Sequence, residues 1–295
     1  MSLSVFFKKL WFPIALVVLF ILGDLGLAHS GWIQNSGYFW LNDLEVTQKY
    51  HPEEVWDKVA YGSSELISAY REELATSGYV NAGMDYGTVL DLNTMLEKKT
   101  IQVGSDLVLA CSWGLLYDDL PTNPTYIWLK KPLEPYAYFQ RDRFGPFIKD
   151  EWKAMLGAGE WRTRANLEQT KTFYYGNMTA EELQERLAIL NEKYFCNGVE
   201  AFSDNLAALP DLFAWCRENG VRLRVLWLPE HPDAPLGPVN DQVREEVRAL
   251  CAGEGVPFTD MTAFLPADCF YDTGHLDYDH GAAVFTEVLD QWLAS

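Results

Sequence analysis

Positive charge is what this 295-residue sequence has least of: 23 lysines and arginines stand against 42 acidic residues, for a net charge of −19. Such a surface repels phosphates instead of neutralising them, which excludes nucleic acid as a partner. Cysteine is sparse as well. Cys111, Cys196, Cys216, Cys251 and Cys269 form no CxxC pair and no sequence pairing with histidine, so neither a zinc site nor a dithiol redox motif is indicated, and no metal or cofactor is expected. Outside the cell they could close one or two disulfides and leave a thiol over; buried free thiols are the simpler expectation. No cysteine follows the amino-terminal apolar run, which excludes a lipoprotein. Internal repeats and low-complexity tracts are absent too, so the chain reads as ordinary globular protein, long enough for one sizeable α/β domain or two small ones.

What the chain does have begins at its amino terminus. In FFKKLWFPIALVVLFILGDLGL, Lys8 and Lys9 precede an apolar run from Leu10 to Gly23 that continues past Asp24 to Leu27. Residues 1–27 read as a membrane anchor or a cleaved export signal, with LAHS as a tolerable cleavage site. A buried amino-terminal helix is the plainer alternative. Basic residues before the run and Asp43, Glu45, Glu53 and Glu54 after it place the remainder on the extracytoplasmic side by the positive-inside rule. Residues 28–52 are aromatic and irregular, a stalk or a segment packed on the domain.

From residue 53 to 295 strands and helices alternate, which predicts an α/β fold with a parallel sheet. WDKVAYG reads as a first strand, SELISAYREELATSG as a helix closed by Gly78, YVNAG as a second strand, 88–98 as a helix and SDLVLACSWG as a buried strand. The rhythm returns with a helix ending at Gly220, the strand VRLRVLWLP, a helix with Val243, Val247, Leu250 and Cys251 on one face, and the short strand VPFTDM. Between the halves, about 121–200 breaks the pattern and reads as an aromatic- and proline-rich insertion. Its second half holds a helix opened by a Thr179/Glu182 capping box, with Leu183, Leu187, Leu190 and Tyr194 as its stripe.

YGSSEL places two serines at a strand-to-helix turn, where a hydroxyl stands above the carboxyl end of a parallel sheet and the helix amino terminus offers N–H groups to an oxyanion. Ser63 or Ser64 could equally be a helix cap. At the far end, CFYDTGHLDYDHG puts Asp272 and His275 three residues apart before a final helix with Val284, Phe285, Val288, Leu289 and Trp292 on its apolar face. That spacing lets one loop present an imidazole and the carboxylate that orients it. Asp277 and His280 repeat the spacing and compete with them.

Together these residues resemble blocks I, II and V of the SGNH (GDSL-like) hydrolases and acyltransferases: GSS after the first strand, Gly83 after the second, and DxxHL before the terminal helix. The form YGSSEL is similar to that of the DltD-like, membrane-anchored envelope proteins of this superfamily. The resemblance covers roughly 53–112 and 203–293 and does not account for the insertion. It implies a three-layer α/β/α sandwich of flavodoxin-like type, with Ser64 as nucleophile, His275 as base, Asp272 as its orienter, and the N–H groups of Ser64 and Gly83 as oxyanion donors. It also implies acyl transfer on acyl esters of a teichoic-acid-like envelope glycopolymer, by an esterase or an O-acyltransferase, with a multi-pass membrane acyltransferase as partner. A non-catalytic binding partner of such a complex is the alternative.

The sequence departs from that pattern in two places. Block III supplies an asparagine after the third strand, and here CSWGLLYDD has none; Ser112 and Trp113 are the nearest replacements. Loss of one oxyanion donor typically costs about 100- to 1000-fold in rate. The glycine after the histidine is also displaced, to Gly281. Glu230 and His231 in WLPEHP lie at a strand's carboxyl end, where such sheets bind ligands, and with Trp113 are candidate substrate contacts; an exposed polar turn is their plainer reading. Arg141 and Arg143 could bind an anionic acceptor or pair within an acidic protein, and NMT at 177–179 is a glycosylation sequon or a helix cap.

Overall fold

The apolar run WDKVAYG forms strand β1 (Trp56–Gly62), whose buried residues point to both faces, as a central parallel strand requires. The computed structural model describes residues 3–30, 43–120, 136, 148–149, 151–161 and 171–294, with side chains from residue 11 onward. β1 pairs with β2 (Val80–Asn81) on one side and β3 (Val103–Cys111) on the other; β4 (Arg222–Trp227) and β5 (Phe258–Asp260) follow, in the order β2-β1-β3-β4-β5 with every pair parallel. The strand order reverses between β1 and β3, the place where a doubly wound sheet opens a crevice at its carboxyl edge.

Helices cover both faces, so the expected α/β sandwich is the observed fold. Ala60, Val108, Ala110 and Leu226 share one face and are packed by Leu66 and Tyr70 from α3 (Ser64–Ala69) and its exit, and by Phe285 and Leu289 of the final helix α9 (Gly281–Ala294). Their alternate neighbours, Val59, Leu107, Leu109 and Val225, are fully buried on the other face, where α7 (Ser203–Asn219) packs against α4 (Val89–Glu97) and α8 (Pro238–Glu254). Each such side chain contributes about 1.5–3 kcal/mol relative to exposure. A capping box between Thr88 and Asp91 starts α4, and Gly220, at φ +69°, ends α7 as the sequence predicts.

Helix α3 is shorter than the sequence predicts. It ends at Tyr70 instead of running to Gly78, because the following amides find partners on α9: Arg71 donates to Thr286 Oγ1 at 2.9 Å, and Thr76 and Ser77 donate to the Asp290 carboxylate. Those tertiary bonds replace the helical ones. Gly62 is required where α3 crosses the sheet, since a Cβ there would lie 2.8 Å from Leu66 Cβ and 3.0 Å from Ala110 O.

The chain divides into two compact units, Met1–Leu41 with Pro124–Gln169, and Asn42–Asn123 with Thr170–Ser295. The span read as one insertion, 121–200, is therefore divided, and its part from Thr170 onward belongs to the α/β unit. There α6 (Ala180–Leu190) opens with the expected Thr179/Glu182 capping box and buries Leu183 and Leu190. Part of 28–52 also joins that unit as α2 (Asp43–Tyr50), which buries Leu44, Val46 and Thr47. In the first unit, α1 spans Leu3–Ser30, and its 20-residue stretch Trp11–Ser30, with an 18-residue window of mean hydropathy 2.2, is long and apolar enough to cross a membrane. Arg141 and Arg143 lie outside the described residues.

Candidate active site

The turn between β1 and α3 separates the two serines. Ser63 is buried and its Oγ shares a hydrogen bond with Ser112 Oγ at 3.1 Å, below the turn. Ser64 is half-buried, and its Oγ lies 3.0 Å from His275 Nε2. Neither side chain caps the helix. The N–H of Ser64, in the first turn of α3, has no acceptor within the helix by helical geometry.

His275 comes from the loop between β5 and α9. Asp272 folds that loop, its Oδ1 accepting from the amides of Gly274 at 3.0 Å and His275 at 2.8 Å. The same carboxylate meets His275 Nδ1 at 3.0–3.1 Å, so the ring is held with Nε2 towards Ser64. An isolated bridge between Phe270 and Leu276 and the Asp277 N–H to Cys269 O bond at 2.9 Å close the loop's base. Sequence positions 64, 272 and 275 are thus brought together as a hydrogen-bonded chain.

Burial works against charge on His275, but the Asp272 carboxylate and its hydrogen bond outweigh it and set the imidazole above its ordinary 6.5, with Glu65 adding in the same direction. Burial likewise opposes the Asp272 charge, which the His275 ring and the two loop amides override, so that its carboxyl falls to about 2. The signs give two windows. The stability from raising His275 is complete below 6.5 and is lost as pH rises through the raised value; that from lowering Asp272 is present above 3.8 and is lost only as pH falls towards about 2.

Comparison with protein-family models and with curated proteins gives no match for this chain.

The other expected site residues are placed differently. The Gly83 amide donates to Asn81 Oδ1 at 3.0 Å, and Asn81 is itself fixed by its Nδ2 bonds to Leu66 O and Tyr70 O. Gly83 reaches an oxyanion only by sharing or releasing that bond. Ser112 is buried and engaged with Ser63 and Glu65, so its hydroxyl is not a free replacement for the block III asparagine. Trp113 opens α5 (Trp113–Leu116) after β3 and packs at a tilt on Tyr194, with ring centroids 4.9 Å apart, and edge-on against Phe195 at 5.6 Å. Those partners come from a π-type turn, Asn191–Phe195, that ends α6.

Glu230 is not exposed: its carboxylate is buried and accepts from Trp227 Nε1 and Asn240 Nδ2, both at 2.8 Å, which braces the end of β4. His231 is buried as well. Its backbone N–H donates to Thr273 O of the loop bearing His275 at 3.0 Å, its ring packs on Phe270, and burial lowers its basicity. It borders a cavity of about 320 Å³ shared with Asn177, Leu183 and Asp268. The competing pair is separate: Asp277 accepts from the amides of Gly176 and His280, and the exposed His280 ring faces Asp268 at 3.9 Å. In the sequon, Thr179 is the helix cap, and Asn177 Nδ2 donates to Asp268 O and Phe270 O.

Three neighbours of the triad carry no signal that marks them in the sequence. Tyr174 stacks on His275 with centroids 4.2 Å apart, and burial pushes its phenol well up. Arg186 brings Nε to 3.9 Å from Asp272 Oδ2. Asp85 sits half-buried near His275, its carboxyl raised to about 6 by burial and by Asp43. Tyrosine in an irregular stretch and arginine on an amphipathic helix read as packing and as a solvated face, and only the fold brings them here.

Ser63→Ala is the control this geometry supplies. It removes one buried hydrogen bond, worth about 1 kcal/mol, and should leave ester turnover within about tenfold of wild type. A Ser63→Ala loss as deep as that of Ser64→Ala, measured on the same ester, contradicts the assignment of roles.

Proposed function

We propose that the chain is an extracytoplasmic, SGNH-type serine acyl-transfer enzyme that acts on acyl esters of a cell-envelope glycopolymer. The observation that carries this reading is the chain Ser64 Oγ, His275 Nε2, His275 Nδ1, Asp272 at the carboxyl edge of a parallel sheet. Ser64 Oγ attacks the ester carbonyl while its proton passes to Nε2, and the tetrahedral oxyanion faces the Ser64 amide. Nε2 returns the proton to the leaving alkoxide, and an acyl-Ser64 ester remains. A water or sugar hydroxyl then gives its proton to Nε2 and attacks the acyl carbon; as the bond from the acyl carbon to Ser64 Oγ breaks, Nε2 returns that proton to Ser64 Oγ.

The apolar α1 supports a membrane-tethered enzyme, or a secreted one if the segment is cleaved. A glycopolymer substrate of teichoic-acid type and a multi-pass acyltransferase partner come from the resemblance of YGSSEL and the terminal HL. A second reading has its own observation: of the three expected oxyanion donors, the Gly83 amide and the Ser112 hydroxyl are both engaged in internal hydrogen bonds, as fits a non-catalytic partner of such a complex.

The test is covalent. The full chain in detergent micelles, mixed with p-nitrophenyl acetate, should release a burst of nitrophenol and carry one acetyl group on the peptide containing Ser64. A folded protein with no burst and no acetyl group supports the binding reading. The reaction should also fall on the acid side with a midpoint above 6.5, because only neutral His275 accepts the proton. A midpoint at or below 6.5 contradicts the Asp272–His275 coupling.

A further inference from the structure

Glu65, the residue after the nucleophile, looks in sequence like an acidic first-turn residue that complements a helix dipole. Its position is different. The residue is only 6% exposed. Its carboxylate takes a hydrogen bond from Ser112, whose hydroxyl also meets Ser63. A Cβ on Gly274 would come within 2.8 Å of Glu65 Oε1, so the carboxylate lies against the backbone of the loop that carries Asp272 and His275. Three segments therefore meet at one buried acid: the nucleophile turn, the exit of β3 and the base loop. Burying a carboxyl is costly unless its environment repays it, and here burial raises it, while His275 and the Ser112 bond favour the charged form and Asp272 and Glu230 oppose it.

We infer that Glu65 is a positioning residue of the proton relay, holding the Asp272–His275 loop against the nucleophile turn and supplying a second negative charge to the imidazolium that forms when Ser64 gives up its proton. The inference rests on the acyl-transfer reading for its purpose, though not for its test. Ser112 then has a role other than the oxyanion donor it replaces by position: it anchors Glu65. The groups facing His275 are Asp272 on its own loop, Glu65 from α3, Asp85 after β2, Tyr174, and Arg186 from α6. Asp272 and Glu65 favour its protonation, and Arg186 opposes it.

The experiment titrates His275 directly, through the Cε1–H resonances of the full chain in micelles with labelled histidine; His275→Gln assigns the signal among the five histidines. Glu65→Gln keeps the shape and the contact with Ser112 and removes the charge. The His275 midpoint should fall by about half a pH unit or more. Ser112→Ala, which weakens the charged form of Glu65, should move it the same way by less. The acid limb of fluorophosphonate labelling should follow both. A folded Glu65→Gln with an unmoved His275 midpoint overturns the inference whether or not Ser64 labels; should that variant not fold, an unmoved midpoint in Ser112→Ala overturns it. A lowered midpoint in a protein whose wild type never labels upholds the inference and overturns the acyl-transfer reading instead.

Discussion

Ser64→Ala should lower ester turnover by about 10⁵-fold and leave the unfolding free energy from urea titration within about 0.5 kcal/mol of wild type. The two effects separate because Ser64 Oγ has His275 Nε2 as its hydrogen-bond partner and stands half-buried at the site, so truncation leaves a nitrogen that water can reach. His275→Ala should remove activity to the same depth but cost stability as well, about 1–3 kcal/mol, because Asp272 is buried and loses the partner that favours its charge. Its two amide bonds remain and limit the damage. Activity and stability measured on both variants therefore distinguish a nucleophile from a structural serine. Equal, small losses of turnover in the two would contradict the triad.

Gly281→Ala should have the largest effect on folding. A Cβ at that position would lie 1.8 Å from Cys269 O and 2.7 Å from Cys269 C, both backbone atoms that no side-chain rotation can move aside. Helix α9 starts against that carbonyl, which also accepts the Asp277 amide and so closes the loop bearing His275. The helix must retreat or the loop must open, and we expect a loss of at least ~3 kcal/mol in urea titration together with loss of Ser64 reactivity. Gly253→Ala, inside α8 with nothing within 4 Å, is the matched control and should stabilise by up to ~1 kcal/mol. Similar behaviour of the two variants would show that the contact at Gly281 does not hold the loop.

Much of this was legible before the fold was known, and the reasons differ by element. Strand β1 is readable because a short apolar run bounded by Gly62 has few other structures to adopt, and α6 because its capping box is local chemistry. The proximity of Ser64 to Asp272 and His275 rested on a motif at each end of the chain, and the sheet order brings those ends together. Glycine 281 was visible as an oddity without its cause, since nothing in sequence shows that a helix begins on Cys269 O. Helix α3 was read too long because its amphipathic pattern continues past Tyr70, where the partners that end it, Thr286 and Asp290, are more than two hundred residues away. Glu230 was misread for a related reason: Trp227 and Asn240 enclose it only once β4 and α8 have packed.

The measurement closest to the central claim is fluorophosphonate labelling of the full chain in micelles, run beside Ser64→Ala and His275→Ala with folding checked by circular dichroism. The account predicts stoichiometric label on wild type, mapped to Ser64, and none on either variant. A folded wild type that takes no label, or takes it equally in Ser64→Ala, would contradict the claim that Ser64 is an activated nucleophile.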